Sequence, residues 1–144
     1  MAFRGHYDYS LDAKNRLNVP PKFRMAFSEG VVLVEALEPC VSLYTPVAFD
    51  AFTDQVLAGR NPLSPEFRKL SRRFVGRSFD TELDAAGRVT LNPRLLEYAG
   101  IEKEVVVVGT LDHLEVWERS AWHADQESLN AEVQRIAEGL GDPS

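Results

Sequence analysis

The chain states one motif twice, and that duplication constrains its fold more than any other feature. Leu11–Pro21 reads LDAKNRLNVPP and Leu83–Pro93 reads LDAAGRVTLNP. At a constant offset of 72 residues (11 to 83), Leu11 matches Leu83, Asp12 matches Asp84 and Ala13 matches Ala85. Arg16 and Arg88, then Pro21 and Pro93, match in the same register. An internal repeat of this kind has to be read before anything else, because the fold must be built from two related units.

Each copy predicts a strand, a tight turn and a second strand. Gly87 takes positive φ at no steric cost, and Asn15 is the next best residue for that position. Leu17-Asn18-Val19 and Val89-Thr90-Leu91 then alternate apolar and polar as half-buried strands do. Asn92 is placed to cap a helix with Pro93 at its first position and an end near Gly100. Aspartate and arginine, four apart in both copies, can bond across the turn and brace it. An exposed ion pair is worth little by itself, but its repetition points to something the whole protein uses.

The remaining chain repeats the same order. Pro21–Phe27 predicts a short helix ended by Gly30, and Val31–Val34 a buried strand paired with Cys40–Tyr44. Thr45 caps a helix that begins at Pro46, with Val47, Ala48, Phe49, Phe52, Val56 and Leu57 on its apolar face. In the second half Val105–Val108 answers Val31–Val34, and Leu114–Trp117 answers Val41–Tyr44. Ser120 is the expected cap of a last helix carrying Trp122, Leu129, Val133, Ile136 and Leu140. The segment 60–65 is the one seam, followed by a basic helix with Arg68, Lys69, Arg72 and Arg73. Those cations suit either an interaction surface or an ordinary solvated face.

Charge is segregated within a chain of net charge −6. Residues 1–28 carry five basic and two acidic side chains, and residues 60–94 eight and four, so both blocks are positive. Residues 29–59 hold five acids and no Lys or Arg, and residues 95–144 eleven acids and three bases. Each positive block contains one D-x-x-x-R copy, an asymmetry that points to nucleic acid more than the net value does. Cys40 is the only cysteine, and His6, His113 and His123 lack ligand spacing, so neither a disulfide framework, a metal site nor a cofactor is expected. No apolar run predicts a membrane span or a leader, and a cytoplasmic protein is the expectation.

Phe3-Arg4-Gly5, LDAKNRLNVPPKFR and LDAAGRVTLNPRLL together closely resemble the MraZ family of bacterial regulators, over essentially the whole chain. The one departure is Asn15, where the family usually has glycine. The resemblance implies an α+β fold: a tandem AbrB-like swapped-hairpin or double-psi-like β core, duplicated about a pseudo-twofold, with peripheral helices. Its halves are expected at residues 1–60 and 61–144, intertwined as one unit. It implies a homo-oligomeric ring that binds double-stranded DNA at short G-rich direct repeats in the promoter of its own division and cell-wall gene cluster, and that sits on the nucleoid. Neither a small-molecule substrate nor a membrane partner is implied.

The residues allow a mechanism for that. An arginine on a rigid turn can bond guanine O6 and N7 bidentately, so Arg16 and Arg88 are the expected base readers. Asp12, Asp84, Asn15 and Gly87 are expected to brace the turns. Lys14 suits a phosphate contact that sets register, with Arg4, Lys22 and Arg24 as further candidates. Lys14 and Arg16 make the first turn the stronger reader. Two other classes compete. In an assembly protein the D-x-x-x-R pairs are only turn clasps, and the basic and C-terminal helices join subunits. An enzyme using Asp12, Asp84 or Glu82 is disfavoured, because adjacent arginines depress carboxyl pKa values and spoil a general acid.

Overall fold

Strands of each repeat pair with strands of the other. In the computed structural model, which describes residues 2–141, the chain runs β1 (His6–Ser10), β2 (Arg16–Asn18), a 3-10 helix (Pro21–Phe27), β3 (Val31–Glu35) and β4 (Val41–Tyr44). There follow α1 (Pro46–Leu57), α2 (Pro65–Leu70) extended by a π-helical turn (Ser71–Val75), β5 (Ser78–Thr81) and β6 (Arg88–Thr90). The chain closes with α3 (Pro93–Ala99), β7 (Glu104–Gly109), β8 (Leu114–Glu118) and α4 (Arg119–Leu140). A six-stranded sheet has the order β1-β7-β8-β4-β3-β5, and β2 and β6 form a separate two-stranded ribbon. Every pairing is antiparallel.

That order is symmetric about the β8–β4 pair. The first strand of each repeat pairs with the opposite repeat: His6 lies opposite Val108 in β1–β7, and Ser78 opposite Val34 in β5–β3. The ribbon shows where the pseudo-twofold runs, because Leu17 pairs with Val89, its own equivalent at the offset of 72 residues (17 to 89). The α2 segment is the exception. It connects the repeats and has no counterpart among the described residues ahead of β1.

The sheet is covered on both sides, which is why β3 and β7 read as unbroken apolar runs rather than alternating ones. Val31 and Leu33, with Val105 and Val107, face the main core. There they meet the ribbon's Leu17, Val19, Val89 and Leu91, all essentially inaccessible. Val32 and Val34 point the other way, beneath α1 with Tyr44 and Phe49, while Val106 and Val108 meet Trp117 and the start of α4 at Trp122. The ribbon is therefore clamped to one face of the sheet by its inner side chains, leaving its other face outward.

Local chemistry sets the element ends. Thr45, Ser64 and Asn92 accept from the N–H groups of Ala48, Phe67 and Leu95, each with proline at the first helical position. Gly100 closes α3 in the left-handed conformation at φ 63°. The last helix differs from expectation: Glu118, not Ser120, is the cap, accepting from the Ser120 N–H. Val47, expected on the buried side of α1, is exposed. In α4, Leu129, Val133, Ile136 and Leu140 remain 41–86% exposed, because the helix leaves the sheet after its first turns.

The basic helix is partly structural. Arg73 donates to the carbonyls of Glu35 (2.9 Å) and Ala36 (2.8 Å) and to Tyr98 Oη (3.0 Å), tying the π turn to β3 and α3. The buried Glu35 carboxylate takes Arg94 at 3.2 Å and Arg77 at 3.5 Å. Arg68, Lys69 and Arg72 remain exposed.

His113, an unremarkable turn residue in the sequence, is fixed in place. Its ring stacks on Tyr44 at 4.5 Å, with Nδ1 2.7 Å from Asp112 and Nε2 3.5 Å from Glu115. Burial pulls its pKa down, but Glu115 and Asp112 outweigh it, and the net displacement is upward. A raised folded-state pKa makes the protonated ring a stabilising group below the unfolded value of about 6.5, an effect lost as pH rises through the folded pKa. Urea midpoints are expected to fall between pH 6 and pH 9 by more in wild type than in His113→Gln.

Candidate nucleic-acid interface

Both D-x-x-x-R segments close into the same clasp. In the first, Asp12 Oδ1 accepts from the backbone N–H groups of Lys14 and Arg16, both at 2.9 Å, and Oδ2 takes Arg16 Nε at 2.6 Å. In the second, Asp84 Oδ1 accepts from Ala86 (3.0 Å) and Arg88 (2.9 Å), and Oδ2 takes Arg88 Nε at 2.8 Å. Backbone bonds from Asn15 to Asp12 and from Gly87 to Asp84 complete each turn. Asn15 and Gly87 stand at φ 57° and 80°. With Nε held by the carboxylate, each guanidinium keeps its distal nitrogens for a ligand.

The Arg16 backbone N–H, followed by its guanidinium and the Lys14 N–H, holds the Asp12 carboxyl below the ordinary carboxylate range, against the opposing effect of burial. Asp84 is held low in the same way, first by the Arg88 N–H. A depressed folded-state pKa means that the clasps are fully formed above about pH 4 and weaken only as pH falls through that depressed value.

The ribbon brings the clasps together. Arg16 lies opposite Thr90 and Arg88 opposite Asn18, so the two arginines are diagonal neighbours on one face. Arg88 also reaches the first clasp, with Nη1 3.9 Å from Asp12 Oδ2. Lys14 is exposed at the tip of the first turn, where the second turn has Ala86. The outward face of the ribbon is thus a compact pair of guanidinium groups with one lysine to one side.

The other candidates lie elsewhere. Lys22 Nζ sits over the Tyr7 ring at 4.7 Å and the Phe23 ring at 5.2 Å. Arg24 donates Nε to the Val19 carbonyl at 2.9 Å and packs under Gly87. Arg4 is exposed beside the Gly109 end of β7. Among the described residues no side-chain bond joins Arg4 or Lys22 to either clasp. Asn18 and Thr90, not among the residues expected at the site, are exposed on the same face as the arginines. The period-2 alternation carried that signal, since residues two apart on a strand share a face.

The Arg24 contact explains the inequality of the turns. A Cβ at Gly87 would collide with the Arg24 guanidinium, whereas Leu96 stands at the equivalent position (24 to 96) of the second repeat. Gly87→Asn is expected to lower stability by about 1–2 kcal/mol through displacement of Arg24 and positive-φ strain. Asn15→Gly is expected to stay within about 0.5 kcal/mol of wild type. Denaturant midpoints of the two variants measure the difference.

Among the described residues there is no group of acids, histidines and cysteine fit to hold a metal ion, and no helix is long and apolar enough to cross a membrane. The chain matches the family described as "MraZ protein, putative antitoxin-like" twice, at residues 2–72 and 74–139. It is 38% identical over 138 residues to the "Transcriptional regulator MraZ" of Idiomarina loihiensis, covering 92% of this chain and 90% of that protein. The protein of the same name from Azotobacter vinelandii is 36% identical over 145 residues, covering 97% and 93%. That from Treponema pallidum is 34% identical over 142 residues, covering 98% and 95%.

Proposed function

The chain belongs to the MraZ family, and from that premise we propose that it is a sequence-specific DNA-binding transcriptional regulator that reads its operator with the clasped arginines of the β2–β6 ribbon. The observation that carries this reading is the pair of identical clasps set side by side on a rigid outward face. Arginine matches guanine O6 and N7 as a planar fork, and a two-stranded ribbon fits the major groove. Asp12 and Asp84 fix the χ angles of Arg16 and Arg88, so little rotamer entropy is lost on docking. Lys14 contacts phosphate and sets register without reading sequence. Arg4, Lys22 and Arg24 act at most on the flanking backbone, with Arg24 first a prop for the second turn.

In this reading the halves, 1–60 and 61–144, form an intertwined AbrB-like pseudo-dimer, and several chains close into a ring over G-rich direct repeats upstream of the protein's own gene. One chain offers few base contacts, and linked binding raises the effective concentration of each next contact. The exposed stripe of Leu129, Val133, Ile136 and Leu140 on α4, beside Glu132 and Glu138, suits a subunit contact and keeps acidic charge off the DNA side. The aspartates are ionised and spent on the clasps, so they serve no acid–base chemistry.

Fluorescence anisotropy with a labelled duplex from upstream of the gene, beside a shuffled duplex, tests this at two salt concentrations. Preference for the upstream duplex, with log affinity falling as log salt rises, is the expected result. Folded protein that binds neither duplex at low salt would remove the regulator reading in favour of an assembly protein.

A further inference from the structure

The ribbon face contains two side chains that the fold does not explain. Asn18 and Thr90 are exposed, and among the described residues neither side chain makes a hydrogen bond. Asparagine is poorly suited to a strand, yet Asn18 stands on this face, directly opposite Arg88. Leu17 and Val89, between these residues and the arginines, are fully buried, so Asn18 and Thr90 must project on the same side as Arg16 and Arg88. The face is a four-residue array: Arg16 and Arg88 on one diagonal, Asn18 and Thr90 on the other.

The pseudo-twofold gives the array its meaning. Arg16 and Arg88 are equivalent and identical, whereas Asn18 and Thr90 are equivalent (18 to 90) and different. A ribbon with the same residue at both positions would present the same pattern after rotation about its axis and would read a palindrome. This one does not. An Asn side chain offers the paired donor and acceptor that match adenine N6 and N7, while Thr offers a hydroxyl and a methyl group.

We propose that Asn18 and Thr90 are specificity-determining residues that read base edges flanking the arginine contacts, and that their difference makes the recognised element non-palindromic and fixes the orientation of the ribbon on double-stranded DNA. This rests on the DNA-binding reading above. Asn18 selects adenine on its side of the guanine contacts, and Thr90 makes the weaker, less selective contact on the other. Lys14, opposed by Ala86 in the second turn, adds charge asymmetry to the same end.

The test is selection from a duplex library with 20 randomised base pairs, using full-length wild type, Asn18→Thr, Thr90→Asn and the double exchange, each checked for folding by circular dichroism. Wild type is expected to select an asymmetric element with adenine preferred on one side only. Asn18→Thr should reduce that adenine preference about tenfold while the guanine positions persist. Thr90→Asn should add an adenine preference on the opposite side, and the double exchange should restore the wild-type element with the protein turned end for end on it. A wild-type motif that persists unchanged in both single variants, or affinity lost uniformly with no change of motif, overturns this inference and leaves the DNA-binding reading standing. No enriched motif with wild type overturns both.

Discussion

Arg16→Ala is expected to remove the preference for the operator while leaving the fold in place. Asp12 keeps its bonds to the N–H groups of residues 14 and 16 whatever the side chain at 16, so the turn survives. The lost ion pair is about a third exposed, and its removal costs about 1 kcal/mol or less of stability. Binding loses far more. A bidentate arginine–guanine contact is worth about 1–3 kcal/mol of discrimination, roughly 5- to 150-fold. The Asp12 carboxylate, with the Arg16 guanidinium gone and Arg88 Nη1 still 3.9 Å away, also presents a less compensated negative charge to DNA. Arg16→Lys separates these effects: charge and non-specific binding are retained, but the planar fork is lost and with it the preference. Arg88→Ala should weaken binding in the same sense by a smaller factor, because the second turn lacks a counterpart to Lys14. Titrations of operator and shuffled duplexes at one salt concentration measure all three.

Leu17→Ala is the change expected to damage the fold most for its size. Leu17 is fully buried, stands on the pseudo-twofold opposite Val89, and joins the ribbon to the sheet. Truncating a buried leucine costs about 2–5 kcal/mol through lost transfer energy and the cavity left behind. Typical stabilities are about 5–15 kcal/mol, so a thermal midpoint roughly 5–15 °C lower is the expected result. Because the same strand carries Arg16 on its other face, the loosened ribbon should also hold its arginines less well. DNA affinity should fall at temperatures where the protein is still folded. Val106→Ala, at comparable burial but on the opposite face of the sheet with Trp117 and Trp122, is the control for stability loss without loss of reading.

Much of this architecture can be read from the sequence, because its causes are local. The 72-residue repeat, the caps at Thr45 and Asn92, and the apolar runs each carry their own physical signature. The pairing of strands between the repeats has none: His6 opposite Val108 and Ser78 opposite Val34 join residues about a hundred and about forty positions apart, set by tertiary packing. Arg73 reads as one cation in a basic helix, and only the approach of β3 and α3 makes it a bridge between carbonyls. His113 acquires its stacking and its two carboxylate partners in the same way. At the site, both clasps follow from spacing alone, while the diagonal closeness of Arg16 and Arg88 depends on the ribbon register. Asn18 and Thr90 were hidden for a different reason: polar residues in a half-buried strand are expected, and only the surrounding arginines make them notable.

The central claim is that the clasped arginine of the first turn bonds guanine in the major groove. Replacing each guanine of the preferred duplex in turn by 7-deazaguanine removes the N7 acceptor and leaves base pairing intact. The account predicts that at least one replacement weakens wild type about tenfold and leaves the residual binding of Arg16→Ala unchanged. Equal losses in both proteins, or no loss at any guanine, would contradict it.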